Sequence, residues 1–197
     1  YGFHKSSNYQ ATNIKKKLDH SIFDLKIKSP ISKSYTIRNI KVNLIGDHNI
    51  RNATGSIAVA LSLGVKINKI RNALNKFLGI QRRFTKVFSV EKREFYDDYA
   101  HHPTEIKAVL KSAREVYKDR KIICVFQPHR YSRLKLLKKE FSLSFKAADL
   151  VVLCPVFSAG EKNKENFKQN HFSNLISKKS EVQVVNIKNK IDLKNFI

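Results

Sequence analysis

The chain has 197 residues, 39 of them Lys or Arg and 16 Asp or Glu, for a formal charge of +23. A hydrophobic fraction of 42% is enough to build a core and excludes general disorder, which needs low hydrophobicity as well as high charge. No apolar run approaches the ~18 residues of a membrane span, and Tyr1-Gly2-Phe3-His4 does not open a signal peptide.

Cys124 and Cys154 each lie inside an apolar run. Two cysteines cannot make a disulfide framework or a zinc site, so a reduced, cytoplasmic setting is expected. The sequence contains no Met, which fits a segment of a longer polypeptide. The positive charge has two readings, a nucleic-acid-binding module or solvated lysines spread over the surface. Lys15-Lys16-Lys17, Lys138-Lys139 and Lys178-Lys179 are far apart, and no nucleic-acid-binding motif accompanies them, so the second is favoured. A positive field still favours small anionic substrates.

Residues 1–45 read as strand-rich. Ile22, Phe23, Leu25 and Ile27 suggest a strand over 21–28, and Ile37, Ile40, Val42 and Leu44 another over 35–45, with a break at Ser29-Pro30. From Asn49 the period becomes helical (Ile50, Ala53, Ile57, Ala58, Leu61), with Gly64 placed as a C-terminal cap. A second helix carries Ile67, Ile70, Ala73, Leu74 and Phe77 and ends near Gly79. Residues 80–86 read as a connector. Short strands are expected over 87–90 and 95–99, then a helix opened by Pro103 with Ile106, Val109, Leu110, Ala113 and Tyr117 on one face. A strand over 121–127, a helix over 132–146, a strand over 150–154, a weaker helix over 172–177 and a last strand over 182–187 follow. Continuous apolar strands alternating with helices point to an α/β fold with a parallel sheet covered on both faces.

Ligands of such sheets bind at the carboxyl ends of the strands. Three segments are expected to gather on one rim: 97–103, 127–133 and 155–161. Together they hold Asp97, Asp98, His101, His102, His129, Arg130, Arg133 and Glu161. Each residue also has a plain reading: His102 can cap the helix that Pro103 opens, Asp97 can pair with a surface Lys, and Arg130 and Arg133 with an acid such as Glu140. Three apart at a strand-to-helix junction, the two arginines suit a carboxylate or phosphate gripped bidentately, with the helix N-terminus adding its attraction for anions. His101 can donate to the same anion or relay a proton. Upstream, Asn49 and Asn52 share a helical face, and amides carry the donor and acceptor that an adenine edge asks for, although Asn is also a common N-cap.

Two runs, Asp97-Asp98-Tyr99-Ala100-His101-His102-Pro103-Thr104-Glu105 and Gln127-Pro128-His129-Arg130-Tyr131-Ser132-Arg133, resemble the Mur ligase family, in particular its L-alanine-adding branch. His48-Asn49-Ile50-Arg51-Asn52-Ala53 and Ala159-Gly160-Glu161 fit the same family in the same order. The branch that recycles murein tripeptide shares the first run but lacks the His-Arg-Tyr-x-Arg form, so Arg130 and Arg133 favour the L-alanine branch.

The resemblance implies a Rossmann-like, parallel-sheet C-terminal domain (83–197, cut short at its end) preceded by the end of a central ATP-binding domain (1–82). It implies a cytoplasmic, ATP-dependent ligase of peptidoglycan synthesis, in which the carboxylate of UDP-N-acetylmuramate is activated as an acyl phosphate and attacked by L-alanine. Asn49, Asn52, Arg83 and Asp98 would bind ATP, with Asn49 and Asn52 at adenine, Asp98 at the ribose and Arg83 at the phosphates. His101, Arg130 and Arg133 would face the amino acid and the UDP-sugar. No catalytic residue and no metal ligand is assigned within these residues; those for Mg2+ are expected upstream, and the implied partners are the two substrates and the rest of the same polypeptide, with neither nucleic acid nor membrane insertion. The family's phosphate loop, Gly-x-x-Gly-Lys-Thr or Ser, does not occur: of six glycines none precedes a lysine. The 197 residues alone are therefore expected to be inactive.

Overall fold

The computed structural model describes residues 1–17, 19–28, 33–163 and 166–196; the break expected at Ser29-Pro30 lies outside them. The chain divides into two compact units, Tyr1–Asp98 and Tyr99–Ile197.

In the first unit, β1 (Tyr9–Lys16), β2 (Ser21–Ile27) and β3 (Tyr35–Val42) form an antiparallel sheet in that order. β2 turns Phe23, Leu25 and Ile27 into the core, as alternation predicts. β3 buries Ile37, Ile40 and Val42, a spacing of three and then two. The extra residue is a bulge: Leu25 pairs with Ile37 but Phe23 with Ile40. β1 carries a second bulge between Thr12 and Lys15. Asp24 serves both. One carboxylate oxygen accepts the Asn39 backbone N–H and the other the Asn13 amide, each at 2.8 Å. Asn13 (φ 50°) and Asn39 (φ 54°) take the left-handed conformation that asparagine tolerates. β3 ends at Val42 rather than near 45, because the chain turns through Gly46 (φ 94°) into the next helix.

That helix, α1 (Asp47–Ser62), starts two residues before the expected point. Gly64 (φ 77°) closes it as expected: its N–H bonds the Leu61 carbonyl and that of Val65 the Ala60 carbonyl, a Schellman pair. α2 (Ile67–Lys76) stops three residues before Gly79, with Phe77 already extended. Ile50 and Ile57 from α1 and Ile70 from α2 pack on the sheet's buried residues.

β4 (Thr85–Val90) begins inside the expected connector and pairs antiparallel with β5 (Arg93–Asp97), with Phe88 stacked on Phe95 at 4.2 Å. β5 is thus not a strand of the parallel sheet, which corrects its expected place in that fold. Antiparallel pairing needs only a two-residue turn, here Glu91-Lys92, whereas a parallel strand needs a long crossover.

The second unit holds the parallel sheet, in the order β6 (Ile123–Phe126), β7 (Leu150–Leu153), β8 (Gln183–Asn186). All four residues of β7 are buried, as its continuous apolar run predicts. The sheet is not fully covered on both faces, which corrects the expectation. One face meets Ile106 and Leu110 of α3 (Pro103–Val116), then Leu134, Phe141, Phe145, Phe172 and Ile176. Full burial of such a side chain contributes about 1.5–3 kcal/mol. The other face holds a small cluster of Val152, Cys154 and Ile187, with Leu193 of α7 (Lys190–Phe196) against it, and leaves Ile123 and Val125 of β6 exposed.

The helix expected over 132–146 is broken at Leu137 into α4 (Tyr131–Leu136) and α5 (Lys138–Ser142), which keeps Leu134, Phe141 and Phe145 on the core. α6 (Gln169–Ser180) is longer than expected, and α7 had no signal in the sequence pattern. Among the described residues no helix is long and apolar enough to cross a membrane.

Candidate functional site

In the first unit the residues expected at a nucleotide gather around the start of α1. Asn49 is buried and spends one amide hydrogen on the Ile45 carbonyl at 2.8 Å, which leaves its own carbonyl oxygen and a second hydrogen. Asn52, one turn on, is exposed. The two amides therefore differ in burial, although they are three residues apart on one helix. Asp98 accepts the Phe84 backbone N–H at 2.7 Å, which fixes the end of β5 against the start of β4.

The Arg83 guanidinium makes no hydrogen bond or ion pair among the described residues, while its neighbour Arg82 pairs with Asp97 at 3.2 Å. The expected partner for Asp97 was a lysine; an arginine holds that place. His48 lies in the field of Asp98, Arg83 and Asp47. Burial pushes its imidazole below the ordinary value, Asp98 opposes that, and Arg83 adds to it. Its Nδ1 is buried with no hydrogen-bond partner. A buried donor or acceptor without a partner is costly, so the place suits a polar ligand. His48 was visible in the sequence only as part of a run; a histidine entering a helix just after a glycine was the available signal.

In the second unit, His101, His129, Arg130, Arg133 and Glu161 come together at the carboxyl ends of β6 and β7. His102 takes the plain reading. Its Nδ1 accepts the Thr104 N–H, while Glu105 accepts the backbone N–H groups of His101 and His102, each at 3.1 Å, a complete capping box. His101 Nδ1 lies 2.8 Å from the Tyr99 carbonyl, a bond in which Nδ1 is the donor. The His101 ring lies 6.0 Å from that of His129, whose ring stacks on Phe157 at 5.4 Å. Burial pushes the His129 imidazole below its ordinary value, and Arg133, Arg130 and His101 push it the same way. Arg133 Nη1 reaches the His101 carbonyl at 3.4 Å and His129 Nδ1 at 3.5 Å.

Arg130 enters α4 with φ 70° and ψ 134°, a conformation that side chains disfavour. Its guanidinium makes no hydrogen bond and no ion pair among the described residues, and neither arginine pairs with Glu140. The helix N-terminus is not open to a substrate anion, which corrects that expectation: α4 has only six residues, and Glu161 already accepts the Ser132 N–H at 3.0 Å and the Ser132 hydroxyl at 2.7 Å. Those bonds hold the Glu161 carboxyl below the usual range, with the backbone N–H the larger cause. Among the described residues no group of three or more His, Cys, Asp or Glu could hold a metal ion.

The family model described as "Mur ligase, glutamate ligase domain" matches residues 82–192. The chain belongs to the Mur ligase family. This Mur ligase chain is 52% identical, over all 197 residues, to the UDP-N-acetylmuramate–L-alanine ligase of Pelagibacter ubique and covers 42% of that relative. It is 42% identical over 161 residues to the ligase of the same name from Brucella anthropi, covering 82% of this chain and 34% of the relative. Among solved structures it is similar to the UDP-N-acetylmuramate–alanine ligase of Thermotoga maritima, with 26% identity and a TM-score of 0.77 over 98% of this chain and 40% of that one. A murein peptide ligase from Psychrobacter arcticus shares the fold at 23% identity and a TM-score of 0.62, covering 98% of this chain and 38% of that one. The chain thus spans less than half the length of these relatives.

Proposed function

We propose that these 197 residues form part of a cytoplasmic, ATP-dependent ligase that joins L-alanine to UDP-N-acetylmuramate in peptidoglycan synthesis. The observation that carries this is the Arg130 guanidinium, without a hydrogen bond or ion pair among the described residues, beside Arg133, His101 and His129 at the ends of β6 and β7. Both substrates carry a carboxylate, and the UDP-sugar adds phosphates; forked guanidiniums grip carboxylate and phosphate in two-point fashion. In its neutral form, with Nδ1 donating to the Tyr99 carbonyl, His101 can accept at Nε2 a hydrogen from the amine that attacks the activated carboxylate. The surroundings of His129 favour its neutral form, in which it adds a donor without adding charge.

The nucleotide is assigned to the first unit. Asn49 and Asn52 would hold the adenine, Asp98 the ribose and Arg83 the phosphates, with the orphaned Nδ1 of His48 a further polar partner. When bound, ATP supplies the phosphoryl group that activates the muramyl carboxylate. Mg2+ accompanies ATP in this class of reaction, and none of these residues is assigned to it.

A chimera tests the proposal: this chain replaces the matching part of the Pelagibacter relative. ADP release that requires both UDP-N-acetylmuramate and L-alanine is the expected result. A folded chimera that releases ADP only with a peptide in place of L-alanine, or with neither, overturns it.

A further inference from the structure

We infer that Glu161 is a positioning residue that holds the strained Arg130 elbow through Ser132, so that the loop after β7 sets where the Arg130 guanidinium points. This rests on the ligase reading above. The Arg130 guanidinium makes no hydrogen bond or ion pair among the described residues and feels Glu161 only through its field, so its direction is set chiefly by its backbone. That backbone has φ 70°, which a side-chain-bearing residue keeps only when its surroundings over-determine it.

The surroundings are the loop 155–161. The Arg130 N–H donates to the Phe157 carbonyl at 2.9 Å, and the Phe157 N–H donates back to the Pro128 carbonyl at 2.8 Å. Glu161 closes the far side with its two bonds to Ser132, two residues past the elbow. The turn that presents Glu161 is itself fixed: Ala159 (φ 50°) and Gly160 (φ 86°) are left-handed, and the Glu161 N–H bonds the Ser158 carbonyl at 3.1 Å. The loop therefore grips the segment 128–132 before, at and after Arg130. Of these contacts, only those of Glu161 are made by a side chain that a point substitution removes.

A brace and an acid or base respond oppositely to Glu161→Gln. The amide is isosteric: its oxygen accepts the Ser132 N–H, and its NH2 donates to the Ser132 hydroxyl oxygen, so geometry survives and proton transfer does not. The test uses the active chimera and reads KM for UDP-N-acetylmuramate, L-alanine and ATP, kcat and Tm for Glu161→Ala, Glu161→Gln, Ser132→Ala and the double alanine variant. Glu161→Ala is expected to raise the KM of UDP-N-acetylmuramate or L-alanine roughly ten- to a hundredfold, the scale of a misplaced positioning group, with KM for ATP unmoved. Glu161→Gln should stay within about fivefold of the parent, the worth of an exposed charge pair. Ser132→Ala should reproduce part of the loss, and the double variant should be no worse than Glu161→Ala. Overturning results are an unchanged KM in Glu161→Ala, a Gln variant as impaired as Ala, or a uniform loss of every constant that tracks a fallen Tm. A chimera with Glu161 intact and no L-alanine-dependent ADP release would count against the ligase reading instead.

Discussion

Arg114, in the last turn of α3, donates to Asp149 at 2.5 Å, and the same Asp149 oxygen accepts the Ile122 backbone N–H at 2.6 Å. One carboxylate thus ties the helix before the sheet to the entrances of β6 and β7. Burial pushes the Asp149 carboxyl up; the Ile122 N–H and Arg114 together outweigh that and hold it below the usual range. A carboxylate with a lowered folded pKa contributes stability above its unfolded pKa, about 3.9, and loses it as pH falls through the folded value. Asp149→Ala should therefore cost about 1 kcal/mol at pH 7, modest because the pair is partly solvated. Urea denaturation at pH 7 and in acid should show the difference from the parent chain shrinking as the carboxyl protonates.

The parallel sheet was legible in the sequence because β6 and β7 are apolar at every position, the pattern of strands in a parallel sheet that packs helices on its faces. The antiparallel origin of β5 was not. A short strand of mixed burial, with Arg93 exposed and the rest half-buried, reads the same in either kind of sheet. β1 was hidden for a similar reason, since Ala11 is its one fully buried residue. Arg130 and Arg133 could be placed at a strand-to-helix junction from spacing alone. The positive φ of Arg130 could not, because arginine gives no local hint of it. Glu161 was invisible as a brace, since its partner Ser132 lies 29 residues away.

The two thiols should be inert in the folded chain. Burial, with Cys154 nearby as a smaller cause, pushes the Cys124 thiol up to about 12, and burial raises that of Cys154. Alkylation requires the thiolate. Iodoacetamide at pH 8 is expected to leave both unmodified under native conditions and to modify both in denaturant, as read by mass spectrometry. Rapid native labelling of Cys124 would contradict its raised pKa.

The 197-residue polypeptide alone should release no ADP when mixed with UDP-N-acetylmuramate, L-alanine, ATP and Mg2+. Phosphoryl transfer needs positioned cations and backbone N–H groups around the moving phosphate. No glycine in this sequence precedes a lysine, so no such loop is present in these residues, and the described residues contain no cluster for a metal. A coupled assay that detected substrate-dependent ADP from the pure chain would refute this.

Arg130 separates stability from binding. Its φ of 70° is strained for arginine and free for glycine. Arg130→Gly removes that strain, of order 1 kcal/mol, and adds flexibility to the unfolded chain, which costs roughly the same. The chimera's Tm should thus be little changed, while its KM for UDP-N-acetylmuramate or L-alanine rises, since the guanidinium is gone. Arg130→Lys keeps the charge and the strain but loses the fork. It should still cost about 1–3 kcal/mol in substrate binding or transition-state stabilisation, the range of charged hydrogen bonds. Steady-state kinetics and thermal unfolding on both variants decide the matter. A lysine variant with unchanged kinetics would mean that charge alone suffices at this position. A glycine variant that unfolds many degrees earlier would mean that the arginine stem packs rather than strains.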